Sequence, residues 1–158
     1  MDYGLWTTDY GLRTMHFPQV LIYENDGRIA ELLRREGKSR QWSLREPRRP
    51  ESCLRLLQRG GPSVFVLKVG TDLVQELTLL ERVSWLYPDT STVVVGDMAN
   101  PVVAGLAWDL GASLVLFPPQ PRHALVEILD RMLEPPFADP VGLEQDPHPV
   151  RQLPEGDR

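Results

Sequence analysis

At 158 residues, 42% hydrophobic and 25% charged, the chain holds enough apolar material for one core and too little length for two ordinary domains. No apolar run approaches the roughly 18 residues that a membrane span requires, and the opening MDYGLWTTDYGLRTMHFPQ, with early acids and no apolar centre, is not a secretory leader. The lone Cys53 excludes an internal disulfide and no Cys/His spacing suggests zinc, so a cytoplasmic protein without metal or cofactor is expected.

The net charge of -5 is unevenly spread. Between Arg28 and Arg59 stand 10 Lys/Arg and 4 Asp/Glu, against 7 and 18 in the rest of the chain. A basic segment in an acidic protein points to an acidic partner without identifying one.

Residues 1–17 contain a tandem repeat, DYGLWTT then DYGLRTM, too short for a solenoid and too rich in Gly and Thr for a heptad; an irregular arm is expected. QVLIYE reads as a buried strand. DGRIAELLRREG comes next as a helix with Ile29, Leu32 and Leu33 inward, Asp26 as N-cap and Gly37 as its stop. SRQWSLRE alternates Trp42 and Leu44 with polar residues, the pattern of an edge strand. PESCLRLLQRGG predicts a helix with Pro50 in its first turn, Cys53, Leu54 and Leu57 inward and Gly60 past its end. VFVLKV reads as a central strand running into Lys68. DLVQELTLLERVSWLY predicts a longer helix with Leu73, Leu77 and Leu80 in register, ended by Pro88. STVVVGD is another buried strand. NPVVAGLAWDLG predicts a helix capped by Asn100, with Pro101 in its first turn, Val103, Leu106 and Leu110 along one face and Gly111 at its stop. ASLVLF is the fifth strand, and PRHALVEILDRML the fifth helix, with Leu125, Ile128, Leu129 and Met132 inward. The proline- and acid-rich residues 135–158 are expected to form a disordered or extended tail.

Five strands alternating with five helices imply a doubly wound, five-stranded parallel sheet of order 2-1-3-4-5 with helices on both faces, in an α/β fold of the flavodoxin type. In that order, sites lie at the carboxyl ends of the first and third strands. Glu24 and Lys68 stand there.

Residues 18–134 resemble the receiver domains of two-component response regulators. The resemblance rests on an acid ending the first strand, a polar residue ending the third, YPDTSTVVVGD through the fourth, LGAS before the fifth and Pro-Pro after it. It implies a cis peptide bond before Pro119. It also implies a pair of acids for magnesium, a phosphoaccepting aspartate, a Ser/Thr and a lysine, where this chain offers Glu24 and Asn25, Lys68, Gly96 and Pro118. The switch aromatic of receivers aligns with Val115. An ammonium cannot accept a phosphoryl group as a carboxylate does, and it repels the metal. The resemblance is therefore to a degenerate, pseudo-receiver site comprising Glu24, Asn25, Asp26, Lys68, Gly96, Asp97, Pro118 and Pro119. Within it Lys68 either forms an internal ion pair with Glu24, and with Asp26 or Asp97, or carries its charge out to solvent on an apolar stem.

Nothing else in the chain makes a catalytic constellation. His16, His123 and His148 read as surface residues, Cys53 as a small core side chain, and no phosphate-binding glycine fingerprint is present. Trp85 and Trp108 read as core; an exposed Trp108 would make the fourth helix, fifth strand and fifth helix, with Val115, the interface of a homodimer or of another protein partner, as receivers use it. Arg34, Arg35, Arg40, Arg45, Arg48 and Arg49 form a second candidate interface, for an acidic protein in preference to nucleic acid. The expected function is a non-catalytic, phosphorylation-independent signalling or scaffold module of bacterial type, acting by protein–protein interaction away from membranes. The alternatives are a nucleic-acid-associated regulator using the basic segment and a small-molecule sensor at the strand-end cleft.

Overall fold

The computed structural model describes residues 18–36, 42–60 and 63–133; the expected arm at 1–17, the tail at 135–158, Gly37 and Arg40 lie outside the described residues. Its strands are β1 (Gln19–Tyr23), β2 (Ser43–Arg45), β3 (Ser63–Val69), β4 (Ser91–Gly96) and β5 (Leu114–Leu116). Its helices are α1 (Arg28–Glu36), α2 (Pro50–Gln58), α3 (Leu73–Leu86), α4 (Pro101–Asp109) and α5 (Ala124–Leu133). All pairings are parallel and the sheet order is β2-β1-β3-β4-β5, as the alternation of strands and helices implies.

Successive strand residues serve opposite layers. Leu21, Phe65, Leu67, Val94, Val115 and Phe117 pack with α2, α3 and α4, while Val20, Ile22, Val64, Val66, Val93, Val95 and Leu116 pack with α1 and α5. Strands buried on both faces therefore read as unbroken apolar runs. Cys53 is fully buried in the first of these layers, and burial pushes its thiol up to about 12, which leaves it a small core side chain and a poor nucleophile.

Two helices seat differently from the expected register. In α3 the buried stripe is Glu76, Leu79, Leu80 and Val83, whereas Leu73 is exposed and Leu77 only partly buried. The stripe keeps the i, i+3, i+4, i+7 spacing but begins with an acid, which an apolar template passes over. Glu76 accepts the backbone N–H groups of Gly70, Thr71 and Asp72, at 2.9, 3.3 and 3.3 Å, while Asp72 accepts that of Gln75. This reciprocal cap anchors the loop after β3 to the first turn of α3.

In α4 the Asn100 side chain accepts from Val103 N–H as expected, and Val103 and Ala107 face inward. Leu106, expected inward, is 44% exposed. The helix is apolar on nearly every side, so periodicity could not say which side is covered. Trp85 and Trp108, both expected in the core, are 85% and 50% exposed. They stand at the C-terminal ends of α3 and α4, which meet where Gly111 (φ 103°) approaches Ser84 so closely that a Cβ would lie 2.7 Å from its side chain.

Candidate functional site

The carboxyl ends of β1, β3 and β4 open onto a cleft of roughly 370 Å³ lined by Asn25, Asp26, Lys68, Gly96, Asp97 and Phe117, with the starts of α3 and α4 completing its walls. This is where a parallel sheet of this order concentrates its strand-end side chains. Of the residues expected there, Asn25, Asp26, Lys68, Gly96 and Asp97 line the cleft, while Glu24, Pro118 and Pro119 are not among its lining, and Lys68 pairs with Asp26 and Asp97 but not with Glu24.

Glu24 directly follows β1 and is buried, yet it is not the partner of Lys68. Its two carboxylate oxygens accept the backbone N–H groups of Ile29 and Ala30, each at 2.9 Å. Both bonds are charge-assisted, and the carboxylate lies at the positive end of α1, so both oxygens are already used by the helix start. Asp26, expected to be that cap, only accepts the Arg28 N–H at 3.3 Å. The physical reason is reach. The chain turns through Asn25 to Gly27 before the helix begins, so the residue further back lies beneath the first turn and the nearer one at the cleft.

Lys68 does not escape to solvent either. Its side chain is only 7% exposed, and Nζ lies 2.5 Å from Asp26 Oδ2 and 3.1 Å from Asp97 Oδ2. Arg28 approaches Asp26 at 3.7 Å, and Arg122 bonds Asp97. Five charges thus alternate in sign from Arg28 through Asp26, Lys68 and Asp97 to Arg122, linking β3 to the loops after β1, β4 and β5. Neither Arg28 nor Arg122 is marked in the sequence as a partner of these acids; for Arg122 nothing local could mark it, since its partner is 25 residues away.

The Lys68 hydrogen bond holds the Asp26 carboxyl below its ordinary range, with Arg28 assisting. A carboxylate whose folded pKa is depressed adds stability above its unfolded value and loses it as pH falls through the folded one. Wild-type protein is therefore expected to lose melting temperature below about pH 4, and Asp26→Asn to start lower and show a shallower acid slope. Melting curves recorded from neutral pH down to about pH 2 check this.

Magnesium, which the resemblance implies, does not fit this donor set. Lys68 Nζ lies between the two carboxylates that would have to bind the ion, and Glu24 is turned into the α1 cap. No group of three or more His, Cys, Asp or Glu able to hold a metal converges among the described residues.

The wall above β4 is aromatic. A Cβ on Gly96 would lie 2.5 to 3.0 Å from three ring atoms of Phe117, a ring only 8% exposed. Glycine here is the room that Phe117 occupies. Gly96→Ser should push the ring outward and cost about 1–2 kcal/mol, most of it relieved in a Phe117→Ala background. Urea unfolding of the single and double variants measures this. Val115, at the position where the resemblance implies an aromatic, is buried among α3 and α4 residues and is not available to a partner. The peptide bond between Pro118 and Pro119 is cis, as the resemblance implies.

Outside the cleft, Arg34 pairs with Glu46. Arg35, Arg45, Arg48 and Arg49 are exposed around α1, the edge strand β2 and the loop after it. His123 is exposed before α5, and His16 and His148 lie outside the described residues. No described helix is long and apolar enough to cross a membrane.

No protein-family model matches the chain, and no curated protein matches it. Solved structures do. A CheY-like response regulator receiver domain from Methanospirillum hungatei superposes with a TM-score of 0.62 at 15% identity, over 74% of this chain and 94% of that one. A response regulator from Thermotoga maritima gives 0.61 at 16% identity, over 75% and 98%. The receiver domain of Francisella response regulator 1452 gives 0.61 at 15% identity, over 73% and 96%. The chain has the receiver fold.

Proposed function

We propose that this receiver-fold domain is a non-catalytic signalling or scaffold module whose strand-end site is locked by its own charges and which acts by docking other proteins independently of phosphorylation. One observation carries the reading: Lys68 Nζ is buried between Asp26 and Asp97, and in this reading its charge stands in for a bound cation and its side chain for an acceptor carboxylate. A site already neutralised gains little from a metal or a phosphoryl group. Phe117 against Gly96 supports the same view, because the ring fills the space beside β4 in which a hydroxyl-bearing side chain would stand.

The docking part rests on α4. Met98, Val102, Leu106 and Trp108 expose 79%, 72%, 44% and 50% of their surface along and just before this helix, whose outer side is apolar where solvent would favour charge. Since Val115 is buried, α4 itself is the contact surface of this reading.

The test is capture of partners by wild-type protein and by a Val102→Asp/Leu106→Asp variant, each with and without a small-molecule phosphodonor and magnesium. The reading expects capture indifferent to the donor and lost in the variant, whose melting temperature stays near that of wild type. Capture that requires the donor, or that survives the double substitution, overturns it.

A further inference from the structure

The basic rim around β2 has no assigned role. Arg35, Arg45, Arg48 and Arg49 are exposed, and none forms an ion pair with another described residue; Arg34 is engaged by Glu46, which ties α1 to the edge strand between them. β2 is an outer strand of the sheet, so one of its sides is unpaired, and the arginines on and beside it are exposed.

The last described residues pack at the foot of the edge strand. Trp42, at the start of β2, donates its indole N–H to Asp130 of α5 at 3.4 Å. Met132 and Leu133 pack with Trp42, Leu44 and the Leu33 of α1 in one apolar cluster. The chain therefore leaves α5 at the foot of β2, beside the last turn of α1.

Beyond α5 the sequence continues through residues 134–158, with Glu134, Asp139, Glu144, Asp146, Glu155 and Asp157 against Arg151 and Arg158. The same stretch contains six prolines, Pro135, Pro136, Pro140, Pro147, Pro149 and Pro154. Proline favours extended backbone of about 3.1 Å per residue and donates no N–H to a sheet edge, so a segment of this composition meets a strand through side-chain charge instead of ladder hydrogen bonds. Climbing three strand residues and the following turn takes on the order of ten residues of such chain, which brings the acids up to Asp146 within reach.

We propose that segment 134–158 docks on the rim formed by α1, β2 and the β2–α2 loop, its carboxylates meeting Arg35, Arg45, Arg48 and Arg49. Charge complementarity selects this occupant and the exit point of the chain delivers it. The surface is a site for an acidic polypeptide, and segment 134–158 is its occupant.

The test uses the full chain with a nitroxide spin label on Gln145→Cys. Cys53 is fully buried and stays unlabelled. Amide relaxation is compared with and without reduction of the label. The expected result at low salt is severalfold broadening confined to Leu44–Arg49 and the end of α1, abolished at about 0.5 M salt, where charge interactions are screened within a few ångströms. The same loss is expected in Arg48→Glu/Arg49→Glu, whose substitutions sit at exposed positions and leave the remaining spectrum in place. Broadening that is absent, spread evenly, centred elsewhere, or unchanged by salt and by the double substitution overturns the proposal. So does steeply salt-dependent binding of duplex DNA by the intact chain with the label signature unchanged, since the rim would then be open to nucleic acid.

Discussion

Lys68→Asp is expected to be the most destabilising single substitution in the cleft, at about 3–5 kcal/mol and a fall in melting temperature of about 10 °C or more. The lysine is buried, and its ammonium is the centre of the alternating chain of charges. Replacing it with a carboxylate removes the cation and places three acids around one point. Lys68→Met should cost less, about 1–3 kcal/mol, because Asp26 and Asp97 are 39% and 46% exposed and can recover water while the methionine keeps the packing of the stem. The order of the two variants separates charge from shape. A Lys68→Met variant as stable as wild type would mean that Lys68 matters only as a packed stem. A second consequence concerns metal: three oxygen donors suit a hard divalent cation, so magnesium or calcium should raise the melting temperature of Lys68→Asp and leave Lys68→Met unmoved.

Glu24→Ala is expected to cost about 2–4 kcal/mol for a different reason. It strips the acceptor from two buried N–H groups at the start of α1, and hydrogen bonds to a charged group contribute about 1.5–3 kcal/mol each before relaxation. Glu24→Gln keeps one acceptor and should lose about half as much. Hydrogen exchange gives the local signature, with the Ile29 and Ala30 amides losing protection beyond the global change. A double-mutant cycle then assigns the partners of Lys68: Lys68→Met should couple to Asp97→Asn and not to Glu24→Gln. Coupling to Glu24 of the same size as coupling to Asp97 would return Glu24 to the role that its place at the strand end suggested.

The fold was legible because its strands are buried on both faces. Runs such as VLIY and VFVL between capped or glycine-stopped helices admit few other arrangements, and the edge strand revealed itself by alternating Trp42 and Leu44 with polar neighbours. Legibility failed where a surface is apolar for a reason other than burial. Leu106, Trp85 and Trp108 carried the signature of a core and were exposed, since periodicity reports contrast between faces and α4 has little. It failed again where an acid serves the backbone. Glu24 and Glu76 are both buried, each holding the start of a helix, and a scan that treats acids as surface or catalytic groups misreads both.

In the cleft, the sequence marked Lys68 as anomalous and named Glu24, Asp26 and Asp97 as candidate partners. Ranking them required knowing which way the turn after β1 carries each carboxylate. Arg122 could not be found at all, because its contact with Asp97 exists only once the loops after β4 and β5 lie side by side.

A thermal melt of the wild-type protein with and without magnesium and beryllofluoride reads whether the cleft is neutralised from within. Superimposable curves are expected, because Lys68 already satisfies Asp26 and Asp97 and no acceptor carboxylate stands at the end of β3. A melting temperature raised by magnesium, or raised further by beryllofluoride, would contradict it and make the cleft a working phosphoryl- or metal-binding site.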